Sequence, residues 1–506
     1  MDIIVGFQTL FSNPTAIFFV FLGALVGVIV GALPGLTAAA AIAMLVPVTF
    51  YLDPLSALAF LYVIGKSGRF GGSIAAILFN TPGTAASAAT MMDGYPMTQK
   101  GQAGKALKTA AIASVIGDFS GELLLIFGAS FIAVYTERMG PPEYFAVYVM
   151  AFVVIGSVIG KSIIKGLLST LLGILCGLIG TDPISAESRF DFGILELQSG
   201  LPLVPLLIGV FVISEVLAQA EQDTDWSLKE KLSKEGKAKT DHYMTLQEIK
   251  TCMPVMLRST AIGAFIGLMP GLGSAVACFI AYSEEKRRSK HPELWGTGIV
   301  EGIAAPESSN NAVSGPSMIP LLTLGIPGST IAAIITGVFL IHGVIVGPAI
   351  FSTSKELVFG LFAAGLLGIV MYGIIGYFGG PLIGRMIATV PARLIYPFVF
   401  LTAFIAAYSS KNNTFDIVLM GIFGVFGYIM RRFDFSAAAF IIAFVLTKGA
   451  EENLRQALIL TNDGWGIFLQ RPVAILFFTI GFLAVAIRAW STMNKKQPKA
   501  PSDATF

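Results

Sequence analysis

The chain has 506 residues, 55% of them hydrophobic and only 13% charged, with a formal net charge of +2 and a mean hydropathy of +0.78. Soluble domains carry about 25% charged residues, so apolar atoms of this chain would have to face water over most of its surface. That excludes a soluble globular protein, and a charge of +2 gives no footing for nucleic acid. A bilayer removes the difficulty, which makes membrane lipid the chain's solvent. The three cysteines (Cys176, Cys252, Cys278) form no CxxC pair and no even disulfide framework. The histidines (His242, His291, His342) are far apart, with no HExxH among them. Neither a metal centre nor another cofactor is expected.

The first apolar run, Thr15–Leu33, has no basic region ahead of it and reads as a mature membrane segment, not a cleaved signal. Apolar runs of roughly 17–25 residues can span a bilayer. Further candidates are Ala106–Tyr135, Tyr144–Gly160, Ile163–Gly180 and Leu201–Ala218, then Leu357–Phe378, Leu394–Tyr408, Phe415–Met430, Phe435–Thr447 and Pro472–Trp490. With shorter pieces interrupted by Pro-Gly, the expectation is an all-α integral membrane protein of about 10–12 transmembrane helices plus re-entrant or broken hairpins. A first membrane repeat covers residues 1–220, a polar cytoplasmic connector 221–256, a second repeat with C-terminal helices 257–494, and a disordered tail 495–506.

The two halves resemble each other. Gly27, Gly31, Pro34, Gly35 and Leu36 map onto Gly263, Gly267, Pro270, Gly271 and Leu272 at an offset of 236 (263 minus 27). Asn80-Thr81-Pro82-Gly83-Thr84 maps onto Gly325-Ile326-Pro327-Gly328-Ser329 at an offset of 245 (327 minus 82). One Pro-Gly recurs by chance; two motifs in the same order argue for internal duplication. Basic residues flank the second-half Pro270-Gly271 segment on both sides, Lys229 to Lys250 before it and Lys286 to Lys290 after it. Short basic loops favour the cytoplasm. Arms of about a dozen residues, dipping in and returning, would keep both flanks there. The first-half copy lacks basic flanks, and the bias reverses after the second motif, with Lys100, Lys105 and Lys108 set against Lys355 beside Glu356. This pattern predicts two inverted repeats, an architecture found in secondary transporters.

Proline and glycine in mid-membrane break the helical ladder, and the freed backbone groups must be buried in protein or line a hydrated site. Helix N-termini beyond such breaks point amides and partial positive charge at the gap, which suits carboxylates. Carbonyl ends suit Na⁺. The breaks carry Gly35 and Thr37, then Asn80, Thr81, Pro82 and Gly83, then Gly271, Gly273 and Ser274, then Gly325, Pro327, Gly328 and Ser329. Upstream of the fourth lies an oxygen-rich cluster, Glu307, Ser309, Asn310 and Asn311, of the hard-cation type. The corresponding first-half stretch holds Lys66 and Arg69. These either pair an anionic substrate, replace a bound cation, or snorkel to the interface. Asp118 and Glu122, four residues apart, share a helical face and either relay protons or sit at a solvated break by Gly117 and Gly121. The Gly23, Gly27, Gly31 ladder is expected to pack helices.

At these motifs the sequence resembles the large membrane subunit of tripartite tricarboxylate transporters, the TctA type. The matching stretches are G-A-L-P-G-L-T, F-G-G-S-I-A-A-I-L-F-N-T-P-G, M-D-G-Y-P-M, A-A-P-E-S-S-N-N-A and I-P-L-L-T-L-G-I-P-G-S, in order, with the resemblance running from about residue 15 to 490. The resemblance implies a multi-pass protein of the bacterial inner membrane, working with a small integral-membrane subunit and a periplasmic solute-binding protein. It implies uptake of tri- or dicarboxylates driven by a Na⁺ or H⁺ gradient, without ATP, and no GxxxxGK[ST] is present. The substrate-binding residues expected are Gly35, Thr37, Lys66, Arg69, Asn80, Thr81, Pro82, Gly83, Asn310, Asn311, Gly325, Pro327, Gly328 and Ser329. For the coupling cation they are Gly271, Gly273, Ser274, Glu307 and Ser309. Lys66 and Arg69 depart from the mostly uncharged residues expected there. A passive channel and an intramembrane enzyme are the competing classes; the chain is not expected to be an enzyme.

Overall fold

The computed structural model describes residues 2–33, 35–158, 162–182, 185–221, 242–389, 392–459 and 464–494. Most of the expected connector, the whole tail after Asn494, and Pro34 lie outside these residues. The helices in chain order are α1 (Asp2–Phe11), α2 (Pro14–Ala32), α3 (Ala38–Leu45), α4 (Pro54–Phe79), α5 (Ser87–Gln99), α6 (Ala103–Thr136), α7 (Pro141–Val158) and α8 (Ile163–Gly177). After a two-residue hairpin pairing Gly180 with Arg189 come α9 (Leu203–Leu207) and α10 (Ser214–Ala220), joined by π-helical turns. The second half holds α11 (Leu246–Gly267), α12 (Gly273–Arg288), α13 (Val300–Ala312), α14 (Ile319–Leu324), α15 (Thr330–Ile341), α16 (Ile350–Thr353) and α17 (Lys355–Thr389). It ends with α18 (Ala392–Lys411), α19 (Thr414–Arg432), α20 (Ala437–Ile459), α21 (Ile467–Gln470) and α22 (Pro472–Asn494).

The chain forms two compact units. One comprises residues 1–138 and 178–433 and contains every Pro-Gly break; the other comprises residues 139–177 and 434–506. In the smaller unit, α7 and α8 pack with α20 and α22, the Ser436 amide donates to Ser169 Oγ at 3.0 Å, and Phe145, Phe468 and Phe478 cluster.

Among the described residues six helices are long and apolar enough to cross a membrane, or seven if the bent α21–α22 pair is one span. That is fewer than the 10–12 expected. The shortfall has a physical reason. α4 has the length, 26 residues, but carries Lys66, Arg69 and four glycines because it is buried on all sides. α8 is only 15 residues long, and the C-terminal half of α20 is charged. Exposed Phe18, Phe21, Phe127, Phe131, Phe378 and Phe398 form the apolar outside suited to lipid.

The expected dozen-residue arms of the Pro-Gly hairpins are corrected. The arm before the Pro34-Gly35 break is 19 residues and that before the Pro270-Gly271 break is 22, each long enough to span by itself. α11 begins at Leu246, inside the expected connector, because Thr245 and Glu248 form a reciprocal capping box.

Glycines let the helices of the larger unit touch backbone to backbone, and the touching pairs recur. A methyl added at Gly27 would lie 2.7 Å from the Ile64 carbonyl oxygen, and one at Gly263 would collide with the Ser309 carbonyl, 245 residues on (309 minus 64). Gly31 faces Gly68 as Gly267 faces Val313, and Gly83 faces Gly72 as Gly328 faces Ser317. The same offset relates the left-handed caps Asn80 (φ 54°) and Gly325 (φ 74°), and the offset of 236 relates Gly35 (φ 84°) and Gly271 (φ 90°). Pairing of α2 with α4 thus has its counterpart in α11 with α13. Gly263→Ala is expected to cost about 1–3 kcal/mol through overpacking. Gly421→Ala, where an added methyl meets nothing within 4 Å, is expected to be neutral or stabilising by up to about 1 kcal/mol. Thermal unfolding of the two variants in detergent checks this, and equal midpoints would remove the packing argument.

Candidate functional site

The site grows from α4. Asp53 caps its N-terminus by accepting from the Ser56 amide at 3.1 Å, with Pro54 in the first turn. The glycine-rich stretch 65–73 does not interrupt the helix, because its glycines are where α2 and its neighbours approach. Lys66 is wholly buried, so it is not an interfacial anchor. Its ammonium lies 2.6 Å from Asp118 Oδ1 and 2.7 Å from Glu122 Oε2, both on α6 and both fully buried. The same ammonium sits 4.7 Å from the Tyr62 ring centroid. The Tyr62 hydroxyl donates to Glu122 Oε2 at 2.7 Å. The Tyr372 hydroxyl, from α17, lies 3.1 Å from Asp118 Oδ2 and 3.2 Å from the Ser114 carbonyl oxygen. Asp118 and Glu122 therefore occupy no solvated break: α6 runs through them, and Gly117 and Gly121 let it lie against Ser308 and Ala312 of α13.

Glu307 is the second buried carboxylate centre. It lies within α13, not in a surface loop, and every residue of that helix except Glu301 is buried. Hydroxyls of Ser73 and Thr90 donate to its Oε1, and Ser114 Oγ donates to Oε2 at 2.9 Å. Helices α4, α5 and α6 thus converge on one acid of α13. Ser114 stands between the two centres: its carbonyl oxygen lies by the Tyr372 hydroxyl, which also reaches Asp118 Oδ2, while its own Oγ donates to Glu307.

Beside these partnered groups stand others that have no partner among the described residues. Arg69 is 8% exposed and its Nε has no hydrogen-bond partner. Asn310 and Asn311 are 1% and 0% exposed, and neither the oxygen nor the nitrogen of either amide is paired; Ser309 Oγ is likewise alone. Each such orphan costs about 1–3 kcal/mol. Asn310 and Asn311 follow Glu307 by three and four residues, one turn along the same helical face. Arg69 lines a narrow cleft of about 10 Å³ with Ser314, Ser317 and Ser329, barely the room of one water. A far larger cleft, about 1120 Å³, lies between α2, α3, α17 and α18, lined by residues such as Ile29, Leu33, Phe378 and Phe398 and by no charged group. It offers a carboxylate nothing. The polar centre is the candidate site although it is closed.

The remaining expected residues sit at the breaks. Thr37 caps α3 by accepting from the Ala40 amide, and Ser329 caps α15 by accepting from the Ala332 amide, both at 3.2 Å. Helices α3, α5, α12 and α15 each start directly after a break, and α12, behind Gly271, Gly273 and Ser274, has no side-chain cap. The Gly271 amide donates to the Gly328 carbonyl at 3.1 Å, so the two second-half breaks touch. Pro327, Gly328 and Gly83 are buried, whereas Asn80 and Pro82 are exposed and Thr81 bonds back to the Phe79 carbonyl at 3.2 Å. Asn80 ends α4 in a left-handed turn; its exposure sets it apart from Asn310 and Asn311.

Sequence reasoning gave Asp93 no role. It is fully buried on α5 and accepts from the amides of Gly296 (3.0 Å), Gly298 (2.8 Å) and Ile299 (3.1 Å) and from the Tyr282 hydroxyl (2.8 Å). The carboxylate thereby fills the nest of amides at the start of α13. The available signal was the acid in M-D-G-Y-P-M, set in an otherwise uncharged stretch.

A family model described as the tripartite tricarboxylate transporter TctA family matches residues 17–442. A protein of Agrobacterium vitis described as an uncharacterized 52.8 kDa protein in the TAR-I ttuC' 3' region is 35% identical over 505 residues, 99% of each chain. Another from the same organism, an uncharacterized protein in the TAR-II ttuC' 3' region, is 35% identical over 237 residues, 46% of this chain and 97% of that one. No solved structure matches significantly. With the match extending over most of its length and over both halves of the helical bundle, the chain belongs to the tripartite tricarboxylate transporter TctA family and is a multi-pass membrane transport subunit.

Proposed function

We propose that this chain carries small organic carboxylates, tri- or dicarboxylates, across the bacterial inner membrane by coupling their entry to a Na⁺ or H⁺ gradient. In this reading it works with a small membrane subunit and a periplasmic solute-binding protein, and its two repeats are inverted relative to one another. The observation that carries the reading is the set of orphaned groups in the polar centre. Arg69 and the amides of Asn310 and Asn311 are donors and acceptors buried at a cost, which a carboxylate substrate would satisfy. The recurrence of the same helix contacts at offsets of 236 and 245 supports a pair of repeats around it.

Charge supports coupling. With every group ionised, two cations, Lys66 and Arg69, stand against three carboxylates, Asp118, Glu122 and Glu307, leaving one negative charge (2 minus 3) before any anionic substrate arrives. A carboxylate entering this centre therefore needs a cation with it. Glu307, which accepts from three hydroxyls and has no positive group within ion-pair distance among the described residues, is the proposed seat of that cation, with Ser309 beside it. The closed cleft at Arg69 fits a carrier in an occluded state, whereas a channel needs a continuous path.

The test is uptake of labelled citrate and succinate into proteoliposomes holding the chain with its small subunit, with and without the binding protein. An inward Na⁺ or H⁺ gradient is expected to drive accumulation above the external concentration. Equilibration without a gradient would favour a channel, and a chemically altered product an enzyme.

A further inference from the structure

The Lys66 centre has features that a structural ion pair does not need. A buried ion pair carries a large desolvation cost, and replacing it with apolar groups of similar volume is often neutral or stabilising. Here one ammonium serves two carboxylates, and Glu122 Oε1 is buried with no hydrogen-bond partner. The shell around Nζ is that of a bound cation: Asp118 Oδ1 at 2.6 Å, Glu122 Oε2 at 2.7 Å and the face of Tyr62. With its donors engaged by two acids and a ring, Lys66 has nothing left to offer a substrate. That separates it from Arg69.

The repeat relation sharpens the point. At the offset of 245, Tyr62 corresponds to Glu307 (307 minus 62) and Lys66 to Asn311 (311 minus 66). The second repeat thus presents an acid and an open amide where the first presents a phenol and an ammonium. Carboxylates are found near both positions, supplied by α6 in the first repeat and by α13 itself in the second. Only the first has a cation covalently in place. Ser114 stands between the two, its carbonyl oxygen by the Tyr372 hydroxyl and its Oγ donating to Glu307.

We propose that the Lys66 ammonium is a tethered cation that permanently fills a monovalent-cation position formed by Asp118, Glu122 and Tyr62. This rests on the ion-coupled reading above but does not require Glu307 to bind Na⁺. Its consequence is that the first repeat contributes electrostatics without turnover: its cation never dissociates. Shortening Lys66 to a neutral amide opens that position. Asp118 Oδ1, both oxygens of Glu122, the Tyr62 hydroxyl and the new amide oxygen are the hard donors a Na⁺ ion takes.

The experiment is equilibrium binding of radioactive Na⁺ to the purified full chain, comparing wild type, Lys66→Gln and the charge-neutral triple variant Lys66→Gln/Asp118→Asn/Glu122→Gln. Lys66→Gln is expected to bind one Na⁺ more per chain than wild type, and the triple variant to return to the wild-type number. Melting of Lys66→Gln is expected to rise more steeply with Na⁺ than that of wild type when N-methylglucamine keeps ionic strength constant. Should Lys66→Gln fail to fold, Lys66→Gln/Asp118→Asn, which retains one carboxylate, is expected to show the extra site with weaker affinity. An unchanged Na⁺ stoichiometry in the folded variants overturns the proposal and leaves carboxylate uptake untouched. Zero bound to wild type and one to Lys66→Gln sustains it, while removing the Na⁺ reading of Glu307.

Discussion

Asp93→Ala is expected to destabilise the protein by about 4 kcal/mol or more. Four donors, the amides of Gly296, Gly298 and Ile299 and the Tyr282 hydroxyl, converge on this one carboxylate. Each left unpaired costs about 1–3 kcal/mol, and losses above 4–5 kcal/mol are confined to mechanisms of this kind. Tyr282 also packs edge-on against Trp295 at 5.0 Å, so releasing its hydroxyl loosens that pair. Gly302 leaves room for Asp93 on α13, where any side chain would collide with the carboxylate. Asp93→Asn keeps one acceptor oxygen and is expected to lose less than the alanine variant. Thermal unfolding midpoints, with hydrogen exchange of the amides at 296–299, provide the check. A loss under about 1 kcal/mol for Asp93→Ala would mean that water replaces the carboxylate, and the clamp between α5 and α13 would have no energetic role.

Asp93 also shows where reading the sequence stops. The broken helices were legible, because Pro-Gly disrupts a ladder wherever it falls, and the glycine pairs that bring α2 onto α4 and α11 onto α13 appear as matched motifs. The length of α11 was not read, although Thr245-Leu246-Gln247-Glu248 carries the capping-box spacing; Glu248 and Lys250 made the first turn look like connector. Stretch 65–73 resembles a flexible loop by its glycines, yet those glycines permit close helix contact and the backbone stays helical. Asp118 and Glu122 were visible as a pair on one face, and Lys66 as an anomalous charge. Their meeting across 52 residues was invisible, because periodicity describes one helix and this contact depends on how two pack. For the candidate site, residue types were legible and partners were not. Glu307 and Asn310–Asn311 stood out as polar groups in an apolar run, but only packing separates the satisfied acid from the unsatisfied amides.

Arg69→Lys is expected to weaken carboxylate binding by roughly 10- to 150-fold, and Arg69→Gln to weaken it further. Losing one hydrogen bond to a charged group costs about 1.5–3 kcal/mol, which is that factor in affinity. A guanidinium holds a carboxylate through two parallel bonds, whereas an ammonium supplies charge without the fork. Of the two cations in the polar centre, Arg69 has no carboxylate partner among the described residues, for Lys66 is already held between Asp118 and Glu122. Ser314, Ser317 and Ser329 line the same cleft, and Ser329 caps the start of α15, so hydroxyls and a helix N-terminus share the cleft with the cation. Removing the charge in Arg69→Gln also leaves Asp118, Glu122 and Glu307 with one fewer cation, making the centre more hostile to an anion. Substrate affinity of the purified complex, measured calorimetrically for citrate and succinate, is the readout, with circular dichroism confirming the fold. Wild-type affinity in both variants would place the substrate elsewhere, because a buried guanidinium that held the substrate carboxylate could not be exchanged for an amide without loss. Weakening in Arg69→Gln with full affinity in Arg69→Lys would reduce the role of Arg69 to charge alone.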